Sequence, residues 1–177
     1  MFSNRPEMFG SAPSFAAIKS VETFKKEKLT NILELGGGQG RDSLFFAQNN
    51  FCVQVLDYSK SGVDNIIKQA NILGLAKRIT VNIHDVRKPL PFRDESFDGC
   101  FSHMLYCMAF TTKELKNLSN EIHRVLKPGG INIYTAYCWT GGYATVHSSR
   151  CSLRSVTCRH QRYTRCLVCE SVSGYDA

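Results

Sequence analysis

The sequence predicts an α/β fold, a doubly wound and mainly parallel sheet with helices on both faces, incomplete at its C-terminal end. Three observations carry this expectation. Five short apolar runs of strand length recur between residues 31 and 137, segments of helical apolar spacing alternate with them, and the first run breaks into "GGGQG" where a strand would turn into a helix. Alternation makes the connections crossovers, and crossovers make the sheet parallel. With 177 residues, 43% hydrophobic and 21% charged, the chain has the length of one domain and enough apolar side chains to fill a core.

The elements follow in order. From Pro13, "PSFAAIKSVETFKKE" puts Phe15, Ile18 and Phe24 near one face of a short amphipathic helix with lysines opposite. "NILEL" (Asn31 to Leu35) and "FCVQVLD" (Phe51 to Asp57) read as strands, with "DSLFFAQ" helical between them. "SGVDNIIKQANILGL" places Val63, Ile66, Ile67, Ala70 and Leu73 at the spacing of a helix laid on a sheet, and "ITVNIHD" (Ile79 to Asp85) is the third strand. "SFDGCFSH" is the fourth. Thr111 with Glu114 forms a capping box for a helix whose apolar face is Leu115, Leu118, Ile122, Val125 and Leu126. "KPGG" stops that helix, and "INIYTAY" (Ile131 to Tyr137) is the fifth strand.

In such folds a ligand sits beyond the carboxyl ends of the strands, where Gly36 to Gly40 fall. Glycine permits the sharp turn there and brings backbone close to a ligand, and the next helix offers free N–H groups to an anionic part of it. A dinucleotide fingerprint wants glycines at i, i+2 and i+5. Counting from Gly36 the last falls on Arg41, and from Gly38 on Ser43.

The pattern present is Glu34-x-Gly36-x-Gly38-x-Gly40, followed in order by "VLDYS", "HDV", "LPFRDESFDGCFSHMLYCM" and "EIHRVLKPGGINIYT". Over residues 30–137 the sequence thereby resembles the class I S-adenosylmethionine-dependent methyltransferases, whose Rossmann-like domain residues 1–137 would form. The resemblance implies S-adenosylmethionine as cofactor. Glu34 and the backbone of Gly36, Gly38 and Gly40 would meet its methionine end, and Asp57, 21 positions after Gly36, would accept from both ribose hydroxyls. Tyr58 would lie along the adenine face or pack in the core, and Asp85 with the Val86 N–H would recognise the adenine edge. His103, after the fourth strand, is the candidate base if the acceptor must lose a proton, and otherwise an ordinary partly buried histidine. "GQGRDSLFFA" resembles the branch with small-molecule and metalloid acceptors, so the expected partner is such an acceptor rather than nucleic acid or a membrane.

Composition changes near residue 138. All 11 lysines precede it, whereas five of the eight cysteines (Cys138, Cys151, Cys158, Cys166, Cys169) follow it. Residues 138–177 thus form an atypical Cys/Ser/Arg-rich tail, expected to be disordered or to begin at a shifted reading frame, and in the latter case to leave the fifth strand with a bare edge. A zinc appendage built on Cys166-x-x-Cys169 and an arginine-rich arm for nucleic acid are the other readings of the tail, and no metal is expected in the domain before it. No apolar run approaches the ~18 residues of a membrane span, and "MFSNRPEMFG" has neither a basic start nor an apolar core, so a soluble cytoplasmic protein is expected. Methyl transfer leads the functional readings. A methyltransferase-like protein that keeps only the cofactor fold comes second, and a nicotinamide-dependent oxidoreductase third.

Overall fold

The computed structural model describes residues 12–137 and 144–150. Its elements are α1 (Phe15–Lys26), β1 (Asn31–Leu35), α2 (Arg41–Gln48), β2 (Cys52–Asp57), α3 (Lys60–Ile72), β3 (Ile79–Ile83), β4 (Phe97–Ser102), α4 (Thr112–Val125), β5 (Leu126–Tyr137) and β6 (Ala144–Arg150). The strands lie in the order β3-β2-β1-β4-β5-β6, parallel throughout except for β6. The chain winds outward from β1 to β3 and returns on the other side of β1 with β4. The winding therefore reverses between β1 and β4, the place where such sheets open a crevice at their carboxyl ends.

Period-2 alternation sorts the strand side chains into two cores. Ile32, Val53, Val55, Phe101 and Ile131 face α1, α2 and α3, where Phe24, Phe46 and Phe51 cluster with them. The rings of Phe46 and Phe101 meet edge to face with centroids 4.9 Å apart. Leu33, Leu35, Leu56 and Cys100 face α4, buried under Leu118, Ile122 and Val125. The capping box at Thr111 forms as expected, with the Thr111 hydroxyl accepting from the Glu114 N–H and the Glu114 carboxylate accepting from the Thr111 N–H.

Several expectations need correction. In α1 the buried face is Ala17, Val21 and Phe24, while Phe15 and Ile18 are exposed. The small residues Ala16, Ala17 and Ser20 let the helix approach its neighbours closely, and the larger Phe15 turns outward. In α3, Ile67 and Leu73 are exposed and the buried stripe is Val63, Ile66 and Ala70. The third strand ends at Ile83, leaving His84 and Asp85 in the turn that follows. "KPGG" does not separate helix from strand but lies inside β5, where the register against β4 shifts between Phe97 and Gly99 and Gly129 adopts φ +80°. The bare edge on β5 is filled, since β6 pairs with it antiparallel from Tyr137 opposite Ala144 to Ile131 opposite Arg150. Thr145 and Val146 supply β-branched residues that favour a strand after the glycine pair at 141 and 142. The zinc-ligand cysteines and most of the arginine-rich tail lie outside the described residues. No helix among the described residues is long and apolar enough to cross a membrane.

Two polar clamps fix the frame. Arg124 of α4 donates to the carbonyls of Leu90 and Phe92 and to Glu121 and Asp94, which ties down the helix-free segment between β3 and β4. At the same, amino-terminal end of the strands, Asp98 accepts from the Thr30 and Asn31 N–H groups, the Thr30 hydroxyl and Lys127 Nζ at 2.6–3.0 Å. Its partial burial opposes ionisation, but Lys127 and the three hydrogen bonds outweigh that and hold the carboxyl at about 2. Asp98→Ala is expected to cost about 2–3 kcal/mol at pH 7. A carboxyl depressed on folding stabilises above its unfolded value, so the difference between variant and wild type should shrink as pH falls from about 4 through about 2. Urea denaturation across that range measures it.

Candidate functional site

β1 delivers its last residues to the crevice, and the chain then turns through Gly36 (φ +78°), Gly38 (φ +56°) and Gly40 (φ +90°) into α2. Neighbours brace this loop on every side but one. Gly36 N donates to Leu56 O at 2.8 Å, and Asn65 Nδ2 of α3 donates to Gln39 O at 2.9 Å. A Cβ at Gly62, in the first turn of α3, would run into Gly38 O, so only glycine lets that helix come so near. A Cβ at Gly37 or Gly40 would meet Val55 or Ile66 at 2.5 Å. At Gly38 the same atom meets nothing among the described residues within 4 Å, which marks the open side.

Asp57, at the tip of β2, lies against this loop. Its Oδ2 accepts from Gly38 N and its Oδ1 from Ser59 N, each at 2.7 Å. Each carboxylate oxygen keeps a second lone pair for another donor. Tyr58 beside it is 72% exposed, which excludes core packing and leaves its ring accessible.

Glu34 is 2% exposed on the face of β1 turned to α2. Among the described residues its Oε2 has no partner in hydrogen-bond geometry, nor has the hydroxyl of Ser43. Asp42, also buried, spends its carboxylate on Ser14, accepting from the backbone N–H at 2.7 Å and the hydroxyl at 2.8 Å. Burial foremost, and then the charge of Asp42, pushes the Glu34 carboxyl up to about 8.

The turn after β3 carries Asp85 and Val86. Asp85 is gripped by Arg87, whose Nε and Nη2 donate to its two oxygens at 2.8 and 2.7 Å, and this pairing chiefly holds the carboxyl at about 2. A shallow depression of about 260 Å³ lies behind this turn, between Lys88, Pro89 and Asn117, and does not include the glycine loop.

His103 follows β4. Its Nδ1 is 3.0 Å from Thr135 Oγ1 of β5, which also accepts from Met104 N at 2.8 Å. Burial lowers the imidazole below its ordinary value, so it is neutral at pH 7. Leu105, in the short turn Leu105–Cys107 that follows, closes on Gly36.

The predicted residues therefore gather at one end of the sheet, on β1, β2, the turns after β1, β2 and β3, and the segment after β4. Sequence reasoning did not single out Ser43, Asp42, Gly62, Asn65, Arg87 or Thr135. Of these only Gly62 had a local signal, since glycine in the first turn of an otherwise regular helix points to a close backbone approach. Among the described residues no group of three or more His, Cys, Asp or Glu side chains is placed to hold a metal ion.

Comparison with known proteins agrees with this geometry. Residues 32–130 match a family model described as a methyltransferase domain. The biotin biosynthesis bifunctional protein BioHC of Teredinibacter turnerae is 36% identical over 78 residues, 44% of this chain and 13% of that protein. Among solved structures, the [4+2]-cyclase SpnF superposes with a TM-score of 0.53 at 28% identity, covering 60% of this chain and 38% of the other. A SAM-dependent methyltransferase of Methanosarcina mazei superposes with a TM-score of 0.58 at 24% identity, over 62% and 53% of the two chains, which is a likeness of fold. This chain thus spans only a part of each of these relatives.

Proposed function

The chain belongs to the methyltransferase-domain family, and from that premise we propose that it transfers a methyl group from S-adenosylmethionine to a small-molecule or metalloid-type acceptor. The observation that carries this reading is the joint state of the glycine loop and Glu34. A braced backbone turn with one open side stands next to a buried acid that has an oxygen to spare. That combination fits a ligand whose methionine end has both an ammonium and a carboxylate. Glu34 and the N–H groups of the loop would hold that end, Asp57 the ribose, and Tyr58, Asp85 and the Val86 N–H the adenine.

When bound, the cofactor supplies a methyl group already made electrophilic by its sulfonium. The protein's part is to align the acceptor and keep water out, which requires no triad. His103, held by Thr135 and neutral at pH 7, is the group able to take a proton from an acceptor hydroxyl or amine. His103→Ala is expected to lower kcat about 100-fold for such an acceptor, and to leave it nearly unchanged for a thiolate or metalloid nucleophile. The comparison that reads this is labelled-methyl transfer to acceptors of both kinds.

Asp57→Ala should weaken S-adenosylhomocysteine binding about 10- to 100-fold, because it removes the ribose acceptor and also frees Gly38 and Ser59 from the carboxylate that orders them. Calorimetric titration measures this, and normal binding by the variant would reject the assignment. A second reading, cofactor binding without methyl transfer, is supported by the likeness to a protein named as a [4+2]-cyclase. Binding of S-adenosylhomocysteine with no label transferred to any acceptor would favour it. Preference for a nicotinamide dinucleotide would reject both.

A further inference from the structure

Glu34 does not behave as a buried structural acid should. Buried carboxylates are held by donors that satisfy both oxygens, yet among the described residues Glu34 Oε2 has no partner in hydrogen-bond geometry, and the Ser43 hydroxyl beside it favours the charged form less than burial and Asp42 oppose it. The charged and titratable groups around it are unevenly disposed. From α2 it faces Asp42, with Ser43 and Arg41 working the other way, and from β2 it faces Asp57, while the Cys100 thiol of β4 lies on the other face of the sheet, within reach of its charge. His103, beyond β4, faces Asp42 and Arg41 in turn. Ser14, at the start of α1, adds no charge and spends its two donors on Asp42. Two acids therefore outnumber one guanidinium around a carboxyl shut off from water.

We propose that the cofactor-free protein carries a proton on Glu34 at neutral pH and releases it when the methionine end of the cofactor docks, so that cofactor binding and proton release are one event. This rests on the site reading above. The balance is simple. The carboxylic acid gives its proton to solvent, the ligand keeps its ammonium, and the positive charge of that ammonium balances the new carboxylate. An opposite charge at contact distance favours the ionised form that burial and Asp42 had opposed. In the same direction, burial and Asp42 hold the free acid at about 8, which places the exchange in the neutral range.

The test is calorimetric titration of the full chain with S-adenosylhomocysteine, in buffers of different ionisation enthalpy between pH 6 and 9. Wild type is expected to release close to one proton per ligand bound at pH 7, with Kd tightening nearly tenfold per pH unit from 6 to 7 and levelling above about 8. Glu34→Gln should bind more weakly, release no proton and show a flat Kd. His103→Asn should release as wild type does, since the ligand's own groups and His103 are not the source. Difference infrared spectra offer a reading that needs no variant to bind. A protonated-carboxyl band should vanish when ligand is added to wild type and be missing from Glu34→Gln throughout. Wild-type binding with no proton release and a flat Kd overturns the proposal, as does release that survives in Glu34→Gln. If wild type binds no S-adenosylhomocysteine at any pH in the range, the site reading fails first and this inference with it.

Discussion

Gly38→Val is expected to abolish cofactor binding while leaving the fold in place. The cost to the fold is conformational. Gly38 has φ +56°, which a β-branched residue adopts only with strain of about 1–3 kcal/mol. The Cβ itself adds no clash, because it meets no atom of the described residues within 4 Å. The isopropyl group would instead project into the open side of the loop, where a ligand must bring its methionine end against backbone. Gly40→Val is the contrast. Its Cβ would meet Ile66 at 2.5 Å from a backbone at φ +90°, so that variant should lose stability as well as binding. Thermal melts and titration with S-adenosylhomocysteine separate the two outcomes, and undiminished binding by Gly38→Val would move the site away from this loop.

Glu34→Gln is expected to stabilise the cofactor-free protein in neutral and alkaline solution. Folding raises this carboxyl from 4.5 to about 8, chiefly by burial. Between those values the folded state holds the proton and the unfolded state does not, so stability falls as pH rises from about 4.5 to about 8. The full difference is on the order of 5 kcal/mol, and a neutral amide of the same shape escapes most of it. The melting temperature of the variant should therefore exceed that of wild type by roughly 10 °C at pH 8 and match it near pH 5. Saturating ligand should narrow the gap by stabilising wild type more. A wild-type melting temperature that does not fall between pH 5 and 8 would show that Glu34 is ionised in the folded protein.

Most of the frame was legible because it is written in local periods. The five apolar runs, the capping box at Thr111 and the 21-residue step from Gly36 to Asp57 each depend on neighbours close in sequence. The misreadings share a cause. In α1, Phe15 and Ile18 scored as the apolar face because bulk was taken as burial, while the close packing of Ala16, Ala17 and Ser20 decided the orientation. The glycines of "KPGG" suggested a break, but the backbone on either side still pairs with β4. What no local pattern could give is which distant groups meet. Thr135 reaches His103 across 32 positions, Ser14 reaches Asp42 across 28, and the unsatisfied oxygen of Glu34 exists only once α2 has covered it.

The clamp at Asp98 also bears on the order in which the sheet assembles. β1 finds one neighbour nearby, with Asn31 opposite Cys52, but its other neighbour far along the chain, with Ile32 opposite Gly99. Closing the longer loop costs more entropy and rewards it later, so β1, β2 and β3 with α2 and α3 form a natural nucleus that β4 joins afterwards. Asp98 bonds Asn31 across 67 positions and belongs to that late step. Its removal should consequently speed unfolding while leaving the refolding rate almost untouched, a φ-value near zero in stopped-flow chevrons. A large fall in the refolding rate would instead mean that β4 docks before the first three strands are complete.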